Sequence, residues 1–200
     1  TYFDKGQIVY ELKLSNIYKE FLNSETIYAY FTEEGIDYYL TANLFSGTII
    51  STTLVTGGSG FIGSNLVDKL VEEGHDVLVI DNESAETHDR FYYNSQAKYY
   101  KYDVCDYTNT RPLYDGVDYV FHLAAQSYPQ TSFIAPSETL NTNIIGTLNL
   151  FESLYKSNYK NAIIHNCSSS EVFGKVSKDK LPINEECTFH PASPYAISKV

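Results

Sequence analysis

The sequence predicts an α/β fold with a parallel sheet, because three observations within residues 51–200 agree. Short apolar runs alternate with amphipathic stretches, which is the pattern of parallel strands joined by helices. A glycine-rich turn follows the first apolar run, where residues 56–63 read TGGSGFIG. A second apolar run, VLVI at residues 77–80, ends in Asp81. This order of strand, glycine turn, helix, strand and acid predicts a Rossmann-type, doubly wound sheet.

The remaining elements follow in chain order. The glycine turn opens a helix that is predicted over residues 61–73. A long helix with apolar residues at helical spacing is predicted from Ser137 to Ser157, with Ser137 as its N-cap. Pro194 suits the first turn of a last helix. Further strands are predicted where alternating or apolar runs occur, at residues 98–102, 119–123 and 162–165.

Residues 1–50 stand apart from this pattern. A strand is predicted at residues 8–14, a short helix at 17–22 and another apolar run at 36–40, without a glycine turn or a catalytic cluster. We therefore expect an N-terminal extension, or the tail of an upstream domain, followed by a nucleotide-binding domain over residues 51–200. The chain lacks an initiator methionine and stops inside a predicted helix. We expect a fragment that ends before a C-terminal substrate domain and shows no turnover by itself.

The glycine turn predicts a phosphate-binding site. Gly57 permits the tight turn, Gly60 leaves room for a pyrophosphate because it has no Cβ, and Gly63 lets the helix pack closely on the strand. The free N–H groups and the positive end of the helix attract phosphates. The acid at the end of the second strand lies 18 residues after the last glycine, which is typical of dinucleotide-binding units.

Asp81 indicates which dinucleotide binds. A carboxylate at the end of the second strand accepts hydrogen bonds from a ribose with free 2′ and 3′ hydroxyls, and it repels a 2′-phosphate. Asn82 follows it, and Arg90 is the nearest arginine in the sequence. The predicted cofactor is therefore NAD rather than NADP.

The segment SPYAISK at residues 193–199 predicts a catalytic helix. Tyr195 and Lys199 are four residues apart and therefore share one helix face. A nearby ammonium and the positive nicotinamide of an oxidised cofactor favour the tyrosinate form of such a tyrosine. Ser169 follows a predicted strand and supplies a hydroxyl for the substrate oxygen. This set of residues suits proton abstraction from an alcohol during hydride transfer to NAD.

Composition excludes several classes of protein. The net charge of −11 argues against a nucleic-acid surface, and no apolar run is long enough for a membrane span. The three cysteines have no metal-ligand spacing, and their odd number fits no closed set of disulfides. We expect no metal and a cytoplasmic location, since no signal peptide is visible. His122 and His165 lie in apolar strands and are interpreted as core histidines.

The chain resembles the extended short-chain dehydrogenase/reductases, which are the nucleotide-sugar epimerases and dehydratases. The resemblance covers residues 52–200 in the order and spacing of that family. Its motifs are TGGSGFIG at 56–63, DN at 81–82, DV at 103–104, HLAAQ at 122–126, NIIGT at 143–147, SSSEVFG at 168–174 and YAISK at 195–199.

The resemblance implies roles for individual residues. The cofactor is expected to contact Gly57, Gly60, Phe61, Ile62, Asp81, Asn82, Asp103, Val104, Leu123, Ala124, Ala125, Tyr195 and Lys199. The nucleotide-sugar substrate is expected to contact Ser127, Ser169 and Ser170. Catalysis is expected from Ser169, Glu171, Tyr195 and Lys199. The resemblance also implies a homodimer formed through the long helix that begins near Ser137.

Within this family, two stretches are most similar to GDP-mannose 4,6-dehydratases: AAQS at 124–127 and SSEVFGKV at 169–176. In 4,6-dehydratases a glutamate at the position of Glu171 removes the C5 proton after C4 has been oxidised. We therefore predict a 4,6-dehydratase. A UDP-glucose 4-epimerase-like enzyme is the alternative, and UDP-glucuronate decarboxylases also carry a glutamate at this position. A non-enzymatic NAD-binding scaffold is disfavoured, because Tyr195 and Lys199 are both present.

Overall fold

The computed structural model describes residues 26–33, 36–43, 51–85, 91–157 and 161–200. The chain divides between Ile50 and Ser51 into two units. In the first unit, β1 (Thr26–Glu33) pairs antiparallel with β2 (Ile36–Asn43). The second of these strands contains the apolar run predicted at residues 36–40. The strand predicted at 8–14 and the helix predicted at 17–22 lie outside the described residues.

The second unit contains a five-stranded parallel sheet. Its strands are β3 (Thr52–Thr56), β4 (Asp76–Ile80), β5 (Lys98–Tyr100), β6 (Tyr119–His122) and β7 (Ile163–Asn166). They lie in the order β5-β4-β3-β6-β7, and each neighbouring pair is parallel. This arrangement confirms the Rossmann-type fold. The strand order reverses between β3 and β6, where proteins of this fold open a ligand-binding crevice at the carboxyl ends of the strands.

Helices cover both faces of this sheet. They are α1 (Phe61–Glu72), α2 (Tyr107–Thr110), α3 (Pro129–Ile134), α4 (Pro136–Leu140), α5 (Gly146–Lys156) and α6 (Pro194–Lys199). Successive residues of a strand point to opposite faces. On β3, Leu54 packs into a core cluster with Leu150 of α5, whereas Val55 packs into a second cluster with Val67 of α1. The glycine turn is therefore anchored between two buried layers.

The predicted long helix exists, but it is not uniform. A π-helical segment, Asn141–Ile145, joins α4 to α5. The prediction that Ser137 is the N-cap is wrong. Pro136 occupies the first helical position and Ala135 is the N-cap, without a side-chain hydrogen bond, so Ser137 lies inside the first turn. At α6, by contrast, the Ser193 hydroxyl does cap the helix, and it accepts a hydrogen bond of 3.0 Å from the Ala196 N–H.

Candidate functional site

The glycine turn is packed so closely that side chains do not fit. Gly57 has φ +74°, and a Cβ placed on it would lie 2.7 Å from the backbone nitrogen of Ala124. A Cβ on Gly63 would lie 2.1 Å from the carbonyl oxygen of Gly57. The Gly57 N–H donates to the carbonyl oxygen of Ile80 at 2.8 Å. Glycine at these positions therefore joins the ends of β3, β4 and β6 to the start of α1.

Asp81 is held against this turn by backbone donors. One carboxylate oxygen accepts from the Ser59 N–H at 3.0 Å, and the other accepts from the Glu83 N–H at 2.8 Å. Asn82 donates from its amide to the carboxylate of Asp103 at 2.9 Å. Asn82 thus links the segment that follows β4 to Asp103, which lies beyond the end of β5. Arg90 lies outside the described residues.

Several features of the turn fit a dinucleotide. Gly60 is the N-cap of α1 and provides no side-chain cap, so the first N–H groups of the helix face no capping oxygen. The buried hydroxyl of Ser59 has no hydrogen-bond partner among the described residues. Phe61 and Ile62 begin the helix with side chains that are 71% and 66% exposed. A bound dinucleotide would supply the missing acceptors and cover this apolar surface.

His122 is a buried, satisfied histidine. Its Nδ1 lies 2.7 Å from the hydroxyl of Thr56, which accepts from the Ala124 N–H at 3.2 Å. Its Nε2 lies 3.0 Å from the hydroxyl of Thr147, which donates to the Asn143 carbonyl at 2.6 Å. This order of donors assigns a neutral ring that is protonated on Nε2. Burial lowers the pKa of His122 to about 4, which agrees with a core histidine.

His165 was also predicted to be a core histidine, and here the structure differs from the prediction. It lies on β7, and its side chain is exposed among the described residues. Its ring contacts Phe121 with 5.8 Å between the ring centroids. The interpretation of His165 as a core residue therefore does not hold among the described residues.

The end of β7 and α6 meet through hydrogen bonds. The Ser168 hydroxyl donates to the Lys199 carbonyl at 2.8 Å, and the Lys199 ammonium donates to the Cys167 carbonyl at 3.1 Å. The Ser169 hydroxyl accepts from the Glu171 N–H at 3.2 Å, so its own proton remains available to a substrate. Burial lowers the pKa of Lys199.

The remaining predicted residues lie on α6 and in the segments that follow β5, β6 and β7. Tyr195 is 9% exposed and lies one helical turn before the lysine. Ser170 and Glu171 are exposed at the start of the 3₁₀ helix that follows β7, and Ser127 is exposed in the loop after β6. Leu123 and Ala125 flank Ala124, and Val104 is buried. A cleft of about 360 Å³ adjoins α5, β7 and α6, and the Lys199 side chain helps to line it.

Sequence reasoning missed Asn143 as a site residue. Its amide nitrogen donates to the Gln126 carbonyl at 3.1 Å and to the Ser198 hydroxyl at 2.8 Å, and its amide oxygen accepts from the Gln126 N–H at 2.8 Å. Asn143 is buried within the π-helical segment, where such segments often serve functional sites. It therefore ties the loop after β6 to the helix that carries Tyr195. The only signal was its place in the NIIGT motif.

Among the described residues, no group of three or more histidine, cysteine or acidic side chains is placed to hold a metal ion. The three cysteines are free. Within the same parts of the chain, no helix has both the length and the apolar character that a bilayer crossing requires.

A parallel sheet with a glycine turn at its switch point, and a serine, tyrosine and lysine on the far side of the crevice, defines a dinucleotide-binding protein of the dehydrogenase class. A family model described as GDP-mannose 4,6 dehydratase matches residues 54–200. The chain belongs to this family of nucleotide-sugar epimerases and dehydratases, as the motifs predicted.

Curated relatives differ in their activities. A putative UDP-glucose 4-epimerase from Methanocaldococcus jannaschii is 35% identical over 147 residues, which cover 73% of this chain and 47% of the relative. A dTDP-glucose 4,6-dehydratase from Haemophilus influenzae is 33% identical, with coverage of 73% and 47%. A UDP-glucuronic acid decarboxylase 1 from Danio rerio is 36% identical, with coverage of 72% and 33%. The chain thus spans about half the length of the first two relatives.

Solved structures agree with the fold. UDP-glucose 4-epimerase from Thermotoga maritima, determined with UDP-glucose, has a TM-score of 0.67 at 38% identity over 74% of this chain and 47% of that chain. UDP-glucose 4-epimerase from Thermus thermophilus, determined with NAD, has a TM-score of 0.65 at 28% identity over 74% and 47%. The NAD in the latter structure agrees with the cofactor predicted from Asp81.

Proposed function

We propose that the protein uses NAD to oxidise C4 of a nucleotide-linked sugar and that it acts as a 4,6-dehydratase. The observation that carries this proposal is the position of Glu171. It follows Ser169 by two residues, at the point where β7 opens into the crevice shared with α6. The backbone N–H of Glu171 contacts the Ser169 hydroxyl, which is expected to hold the sugar 4-oxygen, so a carboxylate is available close to that position.

The first step needs a base, an orienting hydroxyl and a cation. Tyr195 takes the proton from the C4 hydroxyl, and Ser169 holds the same oxygen. Lys199 lies one turn away, where its ammonium stabilises the tyrosinate and holds the cofactor ribose. NAD, when bound, supplies the hydride acceptor at C4 and the hydride donor at C6. The lowered pKa of Lys199 reflects the dry surroundings in which such a charge acts strongly.

The second step belongs to Glu171. Once C4 is a ketone, the C5 hydrogen becomes acidic, and the Glu171 carboxylate removes it while water leaves from C6. The exposed side chain of Glu171 faces no hydrogen-bond partner or counter-ion among the described residues, so it is free to approach a substrate. The match to the GDP-mannose 4,6 dehydratase family model supports this assignment.

The alternative is a 4-epimerase. It is favoured by the names of similar proteins, since the relative from M. jannaschii and the structure from T. maritima are both 4-epimerases. An epimerase performs the same oxidation at C4 and then returns the hydride to the other face of the sugar. A decarboxylase of a nucleotide-linked glucuronate also begins with this oxidation. The reactions diverge after this oxidation. An epimerase leaves the C5 hydrogen in place, whereas a decarboxylase loses CO2 from C5, which then takes up a proton. A dehydratase loses the C5 proton to Glu171 and water from C6.

Deuterium labelling separates these activities. The complete protein is incubated with NAD and candidate sugar nucleotides in deuterated water. A dehydratase is expected to release a 4-keto-6-deoxy sugar with deuterium at C5. A decarboxylase would also place deuterium at C5, but it would release CO2 and a nucleotide-linked pentose, so the mass of the product distinguishes the two. Glu171→Gln should block elimination and retain NAD binding, whereas Glu185→Gln, at an exposed carboxylate in a later loop, should behave as wild type. Equilibration of C4 epimers without deuterium at C5, and without any effect of Glu171→Gln, would establish the epimerase.

We also propose a cytoplasmic homodimer. The π-helical segment and α5 expose Ile144, Ile145, Leu148 and Phe151 on one surface, which is an apolar face suited to a second copy. Light scattering of the complete protein tests this proposal, and Leu148→Lys should convert the dimer to a monomer. We further propose that the 200 residues alone have no turnover, because the relatives are about twice as long.

A further inference from the structure

The turn after β4 carries a strained acidic residue. Glu83 has φ +56°, and it is the sole non-glycine residue with positive φ in the described part of the chain. Residues with a Cβ rarely adopt this conformation, because it brings the Cβ close to the neighbouring carbonyl oxygen. The Glu83 N–H donates to the Asp81 carboxylate at 2.8 Å, so the strained conformation fixes the acid that is expected to hold the ribose.

The side chain of Glu83 is held at both oxygens. One oxygen accepts from the Tyr93 hydroxyl at 2.5 Å, and the other accepts from the Lys101 ammonium at 2.5 Å. The Glu83 side chain is 17% exposed, whereas that of Lys101 is 69% exposed. Hydrogen bonds to these two partners lower the pKa of Glu83, and the bond to Glu83 raises the pKa of Tyr93 to about 12. Glu83 therefore stays ionised and Tyr93 stays protonated throughout the neutral range.

Lys101 lies beside the ribose acid. The Asp81 N–H donates to the carbonyl of Tyr100 at 3.2 Å, and Lys101 is the next residue along the chain. A cation at this edge of the sheet, just beyond the second strand, is what a 2′-phosphate requires. In this chain the ammonium is paired with Glu83 instead.

We propose that Glu83 determines cofactor specificity by occupying Lys101 in an ion pair, so that the cation beside Asp81 is withheld from a 2′-phosphate. The proposal rests on the proposed NAD-binding function. Two effects act together. Glu83 orients Asp81 toward the ribose hydroxyls through its backbone, and it neutralises Lys101 through its side chain. NADP then meets the carboxylates of Asp81 and Glu83, and the Lys101 ammonium is already paired.

Calorimetric titration with NAD and with NADP tests this proposal. Glu83→Gln keeps a similar shape and can still bond to Tyr93, but it releases Lys101. We expect the preference for NAD over NADP to narrow by about tenfold, because a freed ammonium gains a charge-assisted hydrogen bond to the 2′-phosphate. Adding Lys101→Met to Glu83→Gln should remove the increase in NADP affinity. That increase should also become smaller as the salt concentration rises.

The matched control is Asp76→Asn. It breaks an exposed ion pair in which the Asp76 carboxylate of β4 lies 3.1 Å from the Lys98 ammonium of β5. This pair lies at the amino ends of the two strands, away from Asp81. The preference for NAD over NADP should therefore be unchanged. An unchanged preference in folded Glu83→Gln, or a gain that survives Lys101→Met, overturns the inference. Failure of the wild-type protein to bind NAD at all instead overturns the proposed function. Thermal melting of each variant confirms that the titrated protein is folded.

Discussion

The two sides of the crevice are built differently. On the cofactor side, four of the five residues of β3 are buried, and the glycine turn leaves no room for a Cβ against neighbouring backbone. The catalytic side is formed by the end of β7 and by α6. There α6 is held by hydrogen bonds from Asn143, Ser168 and Lys199. Close packing of the backbone fixes the cofactor side, whereas hydrogen bonds made by side chains position the catalytic side.

This difference has a functional consequence. A dinucleotide needs a rigid cradle of backbone N–H groups, and close packing provides it without side chains. Proton transfer needs side chains that are held in a defined orientation, and hydrogen bonds supply that orientation. Changes on the cofactor side should therefore reduce stability and NAD binding together. Changes on the catalytic side should reduce turnover while NAD stays bound.

The largest effect is expected from Tyr195→Phe. Loss of the phenolic oxygen removes the base and should lower turnover by about 10²–10⁴-fold, since general base catalysis contributes that much. The affinity for NAD should change by no more than about twofold, because the ring still packs in place. Tyr155→Phe, on an α5 residue that is 77% exposed, is the control and should retain full turnover. A comparable loss of NAD binding in Tyr195→Phe would contradict the separation of the two sides.

Gly63→Ala tests the packing of the cofactor side. The added methyl group would lie 2.1 Å from the Gly57 carbonyl oxygen, which is part of the backbone and moves little. We expect the free energy of unfolding to fall by about 3 kcal/mol, the upper range for overpacking, and NAD binding to be lost. Denaturant titration and calorimetry measure the two effects. Ser64→Ala, at the next residue, removes one exposed hydrogen bond and should change little. Normal NAD binding by Gly63→Ala would refute this account of the turn.

His122 makes stability depend on pH. Its pKa is about 4 in the folded protein, against an ordinary value of 6.5. Between these values the unfolded chain binds a proton that the folded chain does not. The free energy of unfolding should therefore fall by up to about 3 kcal/mol as pH decreases from about 6.5 to about 4. Denaturant titrations across this range should show a weaker dependence in His122→Asn. His165→Asn, at the exposed histidine, should retain the wild-type slope.

Asn143→Ala tests the bonds that position α6. The change leaves the Gln126 backbone and the Ser198 hydroxyl without this partner, and it should cost about 1–3 kcal/mol of stability. Because Asn143 acts on the helix and not on the substrate, turnover should fall more than NAD affinity. Asn143→Asp restores the bond from the Gln126 N–H and should recover part of the stability. Equal losses of turnover and NAD affinity would place Asn143 on the cofactor side.

Local patterns predicted the cofactor side more completely than the catalytic side. The strand, the glycine turn, α1 and Asp81 are contiguous in the sequence, and their spacing alone indicated the unit. Asn143 and Ser198 are 55 residues apart, and the Glu83 pairs with Tyr93 and Lys101 cross between segments. No periodicity encodes such contacts. The exposure of His165 was missed for a related reason, since an apolar run does not show what packs over each of its side chains.

The most direct test of the central claim is a pair of titrations of the complete wild-type protein, one with NAD and one with NADP. The claim is that the glycine turn and Asp81 form a cradle for a dinucleotide with free ribose hydroxyls. The Asp81 carboxylate is fixed by the Ser59 and Glu83 N–H groups, so it is oriented before the cofactor arrives. NAD is therefore predicted to bind at least about tenfold more tightly than NADP. Equal affinities, or a preference for NADP, would contradict the account.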